Sequence, residues 1–129
     1  MLRIEHFAYQ VADPIAFAEW YCKHLGFTIK RASTGQAKTH FLADGSGQVM
    51  LEIYCNPQID VPDYPNMHPL TLHVAFVCEE IEETIEALEA AGATIASPLT
   101  VTQSGDTLAM LRDPWGGAIQ LCKRGTPMV

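Results

Sequence analysis

Two histidines and two polar residues recur at matching positions in the two halves of the chain. Glu52 follows His6 by 46 residues, and Gln120 follows His73 by 47 residues. All four lie in β-rich segments. Imidazole nitrogens, a carboxylate oxygen and an amide oxygen are acceptable ligands for a borderline or hard divalent ion. The repeat therefore predicts a metal site to which each half contributes two side chains.

Of the four residues, Glu52 has the strongest need for a partner. It lies in the apolar run M-L-E-I-Y, where a carboxylate is costly to bury unless a cation pairs with it, a proton neutralises it or solvent reaches it. Taken alone, a histidine in a strand is more often a structural residue than a ligand. Because side chains alternate along a strand, however, each candidate has a defined face, and a shared spacing and facing favour a common site.

The elements that must position these residues repeat in the same order. In the first half a strand at 4–11 leads into a helix that begins after Asp13-Pro14 and ends at Gly26. A strand at 27–30 and a hairpin of H-F-L-A-D and V-M-L-E-I-Y-C-N follow. The second half repeats this order with T-L-H-V-A-F-V, an acidic helix ending at Gly92, A-T-I, and a hairpin of T-L-A-M-L-R-D and A-I-Q-L-C-K. Each half is thus predicted to be a βαβββ module.

The length and composition fit one α+β domain made of two tandem modules. The chain has 129 residues and is 48% hydrophobic, which is enough for one core. Module 1 is expected at about 1–56 and module 2 at about 70–124. A proline-rich connection at 57–69 separates them, and a short tail spans 125–129. The glutamates of the second helix are expected to form its solvated face.

The charge of the chain restricts its partners. A formal net charge of −7 and a pI near 5.0 argue against nucleic acid and anionic membrane surfaces, which bind clustered lysine and arginine. No run of apolar residues is long enough to span a bilayer, and the N-terminus has no secretory pattern. A cytoplasmic protein with a small-molecule partner is expected.

Four segments of the chain together resemble the vicinal oxygen chelate superfamily, which comprises glyoxalase I, bleomycin resistance proteins and extradiol dioxygenases. They are V-A-D-P-I-A-F-A-E-W-Y-C-K-H-L-G-F, L-E-I-Y-C-N, L-H-V-A-F and D-P-W-G-G-A-I-Q-L. The resemblance implies that the two modules form a half-barrel cup around one divalent metal ion (Zn, Ni, Mn, Co or Fe), and that the protein is a homodimer. It assigns metal-ligand roles to His6, Glu52, His73 and Gln120.

Within that superfamily the nearest pattern is glyoxalase I, which implies that Asn56 contacts the substrate. Two positions depart from it. The fourth ligand is usually a glutamate that also acts as a base, whereas Gln120 cannot take up a proton. Gln10 stands where the pattern has an arginine that binds glutathione, and it is a second candidate substrate contact. Glu52 is then the only ligand able to serve as the catalytic base.

Three functions remain open. The first is a metal-dependent lyase or isomerase of glyoxalase type that acts on a small oxygen-chelating metabolite. The second is a non-haem iron dioxygenase, because two histidines and a carboxylate also form the ligand set of such enzymes. The third is a metal-free binding protein, with the cup lined by Tyr54, Phe76, Met110 and Trp115. Arg112, like Trp115, flanks the last hairpin and is a further candidate substrate contact.

Overall fold

The computed structural model describes all 129 residues as two compact units, 1–62 and 63–129. Each unit contains one four-stranded sheet and one α-helix of at least ten residues. The order of elements in both units is strand, helix and three further strands. The prediction of two βαβββ modules and of an α+β fold is therefore confirmed.

The first unit has its strands in the spatial order β1-β4-β3-β2. The first and last strands of the unit pair in parallel, and the other pairs are antiparallel. The bounds of its elements are β1 His6–Gln10, α1 Pro14–Leu25, β2 Thr28–Ala32, β3 His40–Ala43 and β4 Met50–Tyr54.

Helix α1 begins and ends where the sequence predicts. The Asp13 side chain accepts a hydrogen bond from the backbone N–H of Ala16 at 3.1 Å, which satisfies one of the free donors of the first turn. Gly26 ends the helix in the left-handed conformation, with φ +71°. Phe17 and Tyr21, one turn apart, stack with ring centroids 4.0 Å apart and are buried in the core of the unit.

The second unit repeats this topology, with the strand order β5-β8-β7-β6 and parallel pairing of β5 with β8. A 3₁₀ turn at Tyr64–Asn66 precedes the sheet. The bounds are β5 Val74–Val77, α2 Ile81–Ala90, β6 Thr94–Val101, β7 Thr107–Arg112 and β8 Ala118–Lys123. The fold is therefore built twice from the same parallel pairing of a first and a last strand.

Two boundaries differ from the prediction. The strand expected at T-L-H-V-A-F-V begins only at Val74, because the residues before it form a turn in which Thr71 N donates to His68 O. Strand β6 extends well beyond A-T-I, and its register shifts on both sides of Ser97. The neighbouring Pro98 cannot donate a ladder hydrogen bond, which fits such an irregularity.

Helix α2 packs one apolar stripe against its sheet and exposes its acids. Ile81 and Leu88 are buried, whereas every glutamate of the predicted acidic face is exposed. The prediction of a solvated face is thus confirmed. Neither helix in the structure has both the length and the apolar character needed to cross a bilayer.

The C-terminal segment is fastened to the β6–β7 turn through Asp106. Its carboxylate accepts hydrogen bonds from Gly125 N at 2.9 Å and from Arg124 Nη1 at 2.9 Å. The bond from Gly125, followed by that from Arg124, lowers the pKa of Asp106 below its usual value. A carboxyl whose pKa is lower in the folded state than in the unfolded chain stabilises the fold above the unfolded pKa. That contribution is lost as the pH falls through the folded pKa.

We therefore expect Asp106→Asn to lower the melting temperature at pH 7 and to have progressively less effect as the pH falls below about 4, the usual pKa of aspartate. Thermal denaturation followed by circular dichroism between pH 3 and pH 7 measures this. Asp60→Asn, at an exposed position without a hydrogen-bond partner, is the matched control. If the difference in melting temperature between wild type and Asp106→Asn is the same at every pH in that range, the stabilising role of the Asp106 carboxylate is contradicted.

Candidate metal centre

The four predicted ligands occupy corresponding positions in the two units. In the first unit Ala8 pairs with Glu52, and His6 lies two residues before Ala8. In the second unit Ala75 pairs with Gln120, and His73 lies two residues before Ala75. Because alternate residues of a strand share a face, His6 lies on the same side of its sheet as Glu52, and His73 directly precedes the first residue of β5, Val74. The parallel register thus brings together residues that are far apart in sequence.

His6 is held between two carboxylates. Its Nδ1 is 3.0 Å from Glu5 Oε1, and its Nε2 is 3.2 Å from Glu52 Oε2. The ring also packs edge-on against Phe41, with centroids 5.6 Å apart. A histidine that gives its Nδ1 proton to a carboxylate presents the lone pair of Nε2 to a metal ion. A cation between Nε2 and Glu52 would suit both atoms.

His73 has the same orientation by a different contact. Its Nδ1 lies 2.9 Å from the backbone carbonyl of Pro69, and a carbonyl can only accept, so Nδ1 carries the proton. In the neutral ring the Nε2 atom is therefore the unprotonated nitrogen. His73 is thus held in the tautomer that a metal ligand needs, whereas each of the two ring nitrogens of His6 faces a carboxylate.

Gln120 is oriented by its neighbour two residues along the strand. The Cys122 thiol donates to Gln120 Oε1 at 3.3 Å. Burial raises the pKa of the Cys122 thiol, so it remains a protonated donor. An amide oxygen has a second lone pair, which is available to a cation. Half-buried Gln120 therefore retains one oxygen position for a ligand role.

The donor atoms of the four predicted ligands are of types that bind a divalent metal ion, and two of these residues lie in each unit. Nowhere in the chain do three or more His, Cys, Asp or Glu side chains come together as a ready-made site. What the structure brings together is the pair His6 and Glu52 in one unit, and His73 beside the strand of Gln120 in the other. Two nitrogen donors, one carboxylate and one amide oxygen form an acceptable set for a borderline or hard divalent ion.

Gln10 and Asn56 are two of the candidate substrate contacts, and the side chain of Gln10 binds the backbone of Asn56. Gln10 Nε2 donates to Asn56 O at 2.7 Å and to Ile59 O at 2.5 Å, and Gln10 Oε1 accepts from Asn56 N at 2.8 Å. Gln10 is buried, and Asn56 Oδ1 accepts from Gln58 N in the following turn. These contacts assign Gln10 a structural role, which is to hold the segment after β4.

The remaining candidate substrate contacts on the strands do not all lie on the sheet faces that carry Glu52 and Gln120. Tyr54 pairs with Gln10 in the register of β1 and β4, on the face of Glu52. Met110 pairs directly with Gln120. Phe76 pairs with the buried Leu121, so strand alternation places it on the opposite side of the sheet from Gln120. The prediction that Phe76 lines one surface with the other candidates is therefore not supported.

Arg112 and Trp115 lie at the β7–β8 turn, as expected. Arg112 donates to the carbonyls of Tyr64, Met67 and Gly116 at 2.8–3.0 Å. The backbone N–H of half-buried Trp115 donates to Asp113 Oδ1 at 3.0 Å. Arg112 is thus a clamp between the turn and the segment after Tyr64, in addition to any contact with a ligand.

Sequence reasoning missed three groups that orient the histidines: Glu5, Phe41 and the Pro69 carbonyl. Neighbours in a strand point to opposite faces, so Glu5 was not expected beside His6. Glu5, however, precedes the first residue of β1 and is free of that alternation. The Pro69 carbonyl carries no side-chain signal. Phe41 is detectable only through the register, which pairs it with Glu52.

We expect Gln10→Met to lower the free energy of unfolding by about 2–3 kcal/mol, because it removes the partner of Asn56 N and of the Ile59 carbonyl and one of two hydrogen bonds to the Asn56 carbonyl. Asn56→Ala, which removes only an exposed turn contact, is the matched control and should cost about 0.5–1 kcal/mol. Chemical denaturation measures both values. If Gln10→Met is no less stable than Asn56→Ala, the structural role of Gln10 is wrong.

Comparisons with known proteins assign the family. Residues 3–121 match the sequence model of the Glyoxalase/Bleomycin resistance protein/Dioxygenase superfamily. A search of curated proteins found no match. Among solved structures, a glyoxalase family protein from Enterococcus faecalis is 31% identical, with a TM-score of 0.72, and the alignment covers 94% of this chain and 97% of that protein.

Two further structures share the fold at lower identity. TnmS3, an antibiotic binding protein from a Streptomyces strain, has a TM-score of 0.74 at 17% identity, with 97% of this chain and 98% of that chain covered. A glyoxalase I mutant from Zea mays has a TM-score of 0.76 at 22% identity, with 96% of this chain and 46% of that chain covered. The match over residues 3–121, together with the Enterococcus relative, shows that the chain belongs to the Glyoxalase/Bleomycin resistance protein/Dioxygenase superfamily.

Proposed function

We propose that the protein is a divalent-metal-dependent lyase or isomerase of glyoxalase type, acting on a small metabolite that chelates metal through adjacent oxygens. The observation that carries the proposal is the contact of each histidine Nδ1 with an oxygen atom. Glu5 Oε1 lies 3.0 Å from Nδ1 of His6, and Pro69 O lies 2.9 Å from Nδ1 of His73. In His6 the other ring nitrogen, Nε2, faces Glu52 Oε2 at 3.2 Å, so one imidazole and one carboxylate of the predicted set are already together.

His6, Glu52, His73 and Gln120 would hold the metal. When bound, a divalent ion would polarise a carbonyl oxygen and stabilise negative charge on adjacent oxygens. Glu5 supplies a second negative charge beside His6, because its carboxylate lies 3.0 Å from Nδ1. Two carboxylates beside one imidazole form a group that favours a cation.

Glu52 would move the proton. It is the only carboxylate of the four, and its Oε2 lies 3.2 Å from His6 Nε2. Gln120 lacks an acidic or basic group, so it can bind and orient but cannot transfer a proton. Proton removal from a carbon next to a carbonyl, and its return to a neighbouring atom, would therefore depend on Glu52 alone.

A binding protein without catalysis is the second candidate. The amide at Gln120 and the lack of a compact group of three acidic, thiol or imidazole side chains favour it, as does the shared fold with an antibiotic binding protein. Such a protein would sequester its ligand without turnover.

Metal uptake and turnover separate the two functions. Chelator-treated protein should take up one divalent ion per chain by elemental analysis and should then convert hemithioacetals or related α-oxo thioesters. Glu52→Gln should abolish turnover, whereas Glu86→Gln, an exposed helix glutamate, should not. Absence of metal uptake would overturn the enzyme proposal, and tight binding of a small molecule by the same metal-free protein would support the second candidate.

Gln120→Glu should raise metal affinity by about tenfold or more, equivalent to about 1.4 kcal/mol, because it adds a negative charge to a set with one carboxylate. Competition with a fluorescent chelator measures the change. Gln48→Glu, on an exposed loop of the first unit, is the control for added charge alone. Equal affinities for wild type and Gln120→Glu would show that residue 120 does not bind the metal.

A further inference from the structure

The face of the second sheet that carries Gln120 also forms a pocket of about 320 Å³. Its lining residues are His68, Pro69, Leu70, Ala96, Ser97, Met110 and Arg112. A volume of this size lies at the lower end of the range for small-molecule sites. Ser97 pairs with Met110 and Met110 pairs with Gln120, so one row across three strands connects the pocket to the predicted ligand.

The pocket is also connected to the second histidine. Pro69 lines the pocket, and its carbonyl holds His73 Nδ1 at 2.9 Å. Arg112 pairs with Ala118, two residues along β8 from Gln120, which is roughly 7 Å along the strand. A molecule in this pocket would therefore lie beside both metal-ligand candidates of the second unit.

One wall of the pocket is rich in hydrogen-bond donors and positive charge. Arg112 uses three of its N–H groups on backbone carbonyls and forms no ion pair. A guanidinium has five such groups, so two remain. Leu70 N donates to His68 Nδ1 at 3.1 Å, which places the proton of the neutral ring on Nε2. The Ser97 hydroxyl forms no hydrogen bond within the protein, so it is available as a further donor.

The other walls are apolar, and no carboxylate lines the pocket. Pro69, Leu70, Ala96 and Met110 provide the apolar surface. The neighbouring Asp113 turns away, because its Oδ1 accepts from Trp115 N and Gly117 N in the turn. In a chain with a net charge of −7, a half-buried arginine with spare donors and no anionic partner is a site for an anion.

We propose that this pocket binds the carboxylate end of a small organic acid with a short apolar chain. The inference rests on the proposed function only in taking this acid to be part of the same substrate. The carboxylate would accept from Arg112, His68 and Ser97, and the apolar chain would lie against Leu70 and Met110. The adjacent oxygens of the substrate would then extend toward Gln120.

Binding can be measured without metal, which keeps this inference separate from the proposed function. Chelator-treated protein is titrated with 4-methylpentanoate and with 4-methylpentanamide, which has the same shape without the charge, and the affinities are followed by calorimetry or by NMR shifts. We expect a dissociation constant on the order of 1 mM for the acid and at least about tenfold weaker binding of the amide. Equal affinity for acid and amide would overturn the proposal.

Substitutions in the lining test the location of the site. Ala96 is exposed, so Ala96→Glu should leave the fold intact and weaken acid binding about tenfold, whereas the isosteric Ala96→Gln should not. Arg112→Gln should abolish acid binding but also removes the clamp on the segment after Tyr64, so the Ala96 pair is decisive. Equal binding to both Ala96 variants would overturn the site.

Two controls assign the chemistry. Inorganic phosphate that binds as tightly as the acid would show that the apolar walls contribute nothing, and would overturn the assignment of an acid with an apolar chain. Glu86→Gln, at an exposed position on the helix of the same unit, should bind the acid like wild type. If the protein binds the acid but takes up no metal, the pocket proposal is supported and the enzyme proposal is overturned. If it takes up metal but does not bind the acid, the pocket proposal is overturned and the enzyme proposal is unaffected.

Discussion

The parallel pairing of the first and last strands in each unit is the constraint on which the candidate site depends. It is set by hydrogen bonds between β1 and β4 and between β5 and β8, and it pairs residues 44 and 45 positions apart in the sequence. A slip of one residue in either pairing would turn the polar partner to the opposite face. The apolar residues that alternate with the ligands, Leu51 and Ile53 in one sheet and Ile119 and Leu121 in the other, are buried. Burial of these residues therefore fixes the register and, with it, the site.

The repetition of this pairing explains why so much of the fold could be predicted. Hydrophobic periodicity, the Asp13-Pro14 start of α1 and its end at Gly26 are local signals, and each corresponds to a contact in the structure. The start of β5 at Val74 and the length of β6 were missed because they depend on a turn and on register shifts around Ser97. Such features depend on contacts between distant segments, which a periodic pattern does not contain.

The residue types of the candidate site could be predicted from the sequence, whereas most of the groups that contact and orient them could not. His6 and Glu52 repeat the spacing of His73 and Gln120 to within one residue, and this pattern is visible in the sequence. The groups that orient the histidines are not, since one is a residue outside the strand alternation and another is a backbone carbonyl. The buried hydrogen bonds of Gln10 were also missed. An amide that is satisfied by backbone atoms has the same sequence signature as one that awaits a ligand.

The clamp formed by Arg112 determines how the second unit can receive a ligand. It ties the carbonyls of Tyr64 and Met67 to that of Gly116, and a side chain on Gly116, which has φ +89°, would collide with the Pro65 ring. The wall formed by His68 and Pro69 is consequently part of the folded scaffold and does not act as a lid. A ligand that enters a preformed pocket has little conformational entropy to remove from the protein. Association should then be governed by diffusion and desolvation, with no slow closing step.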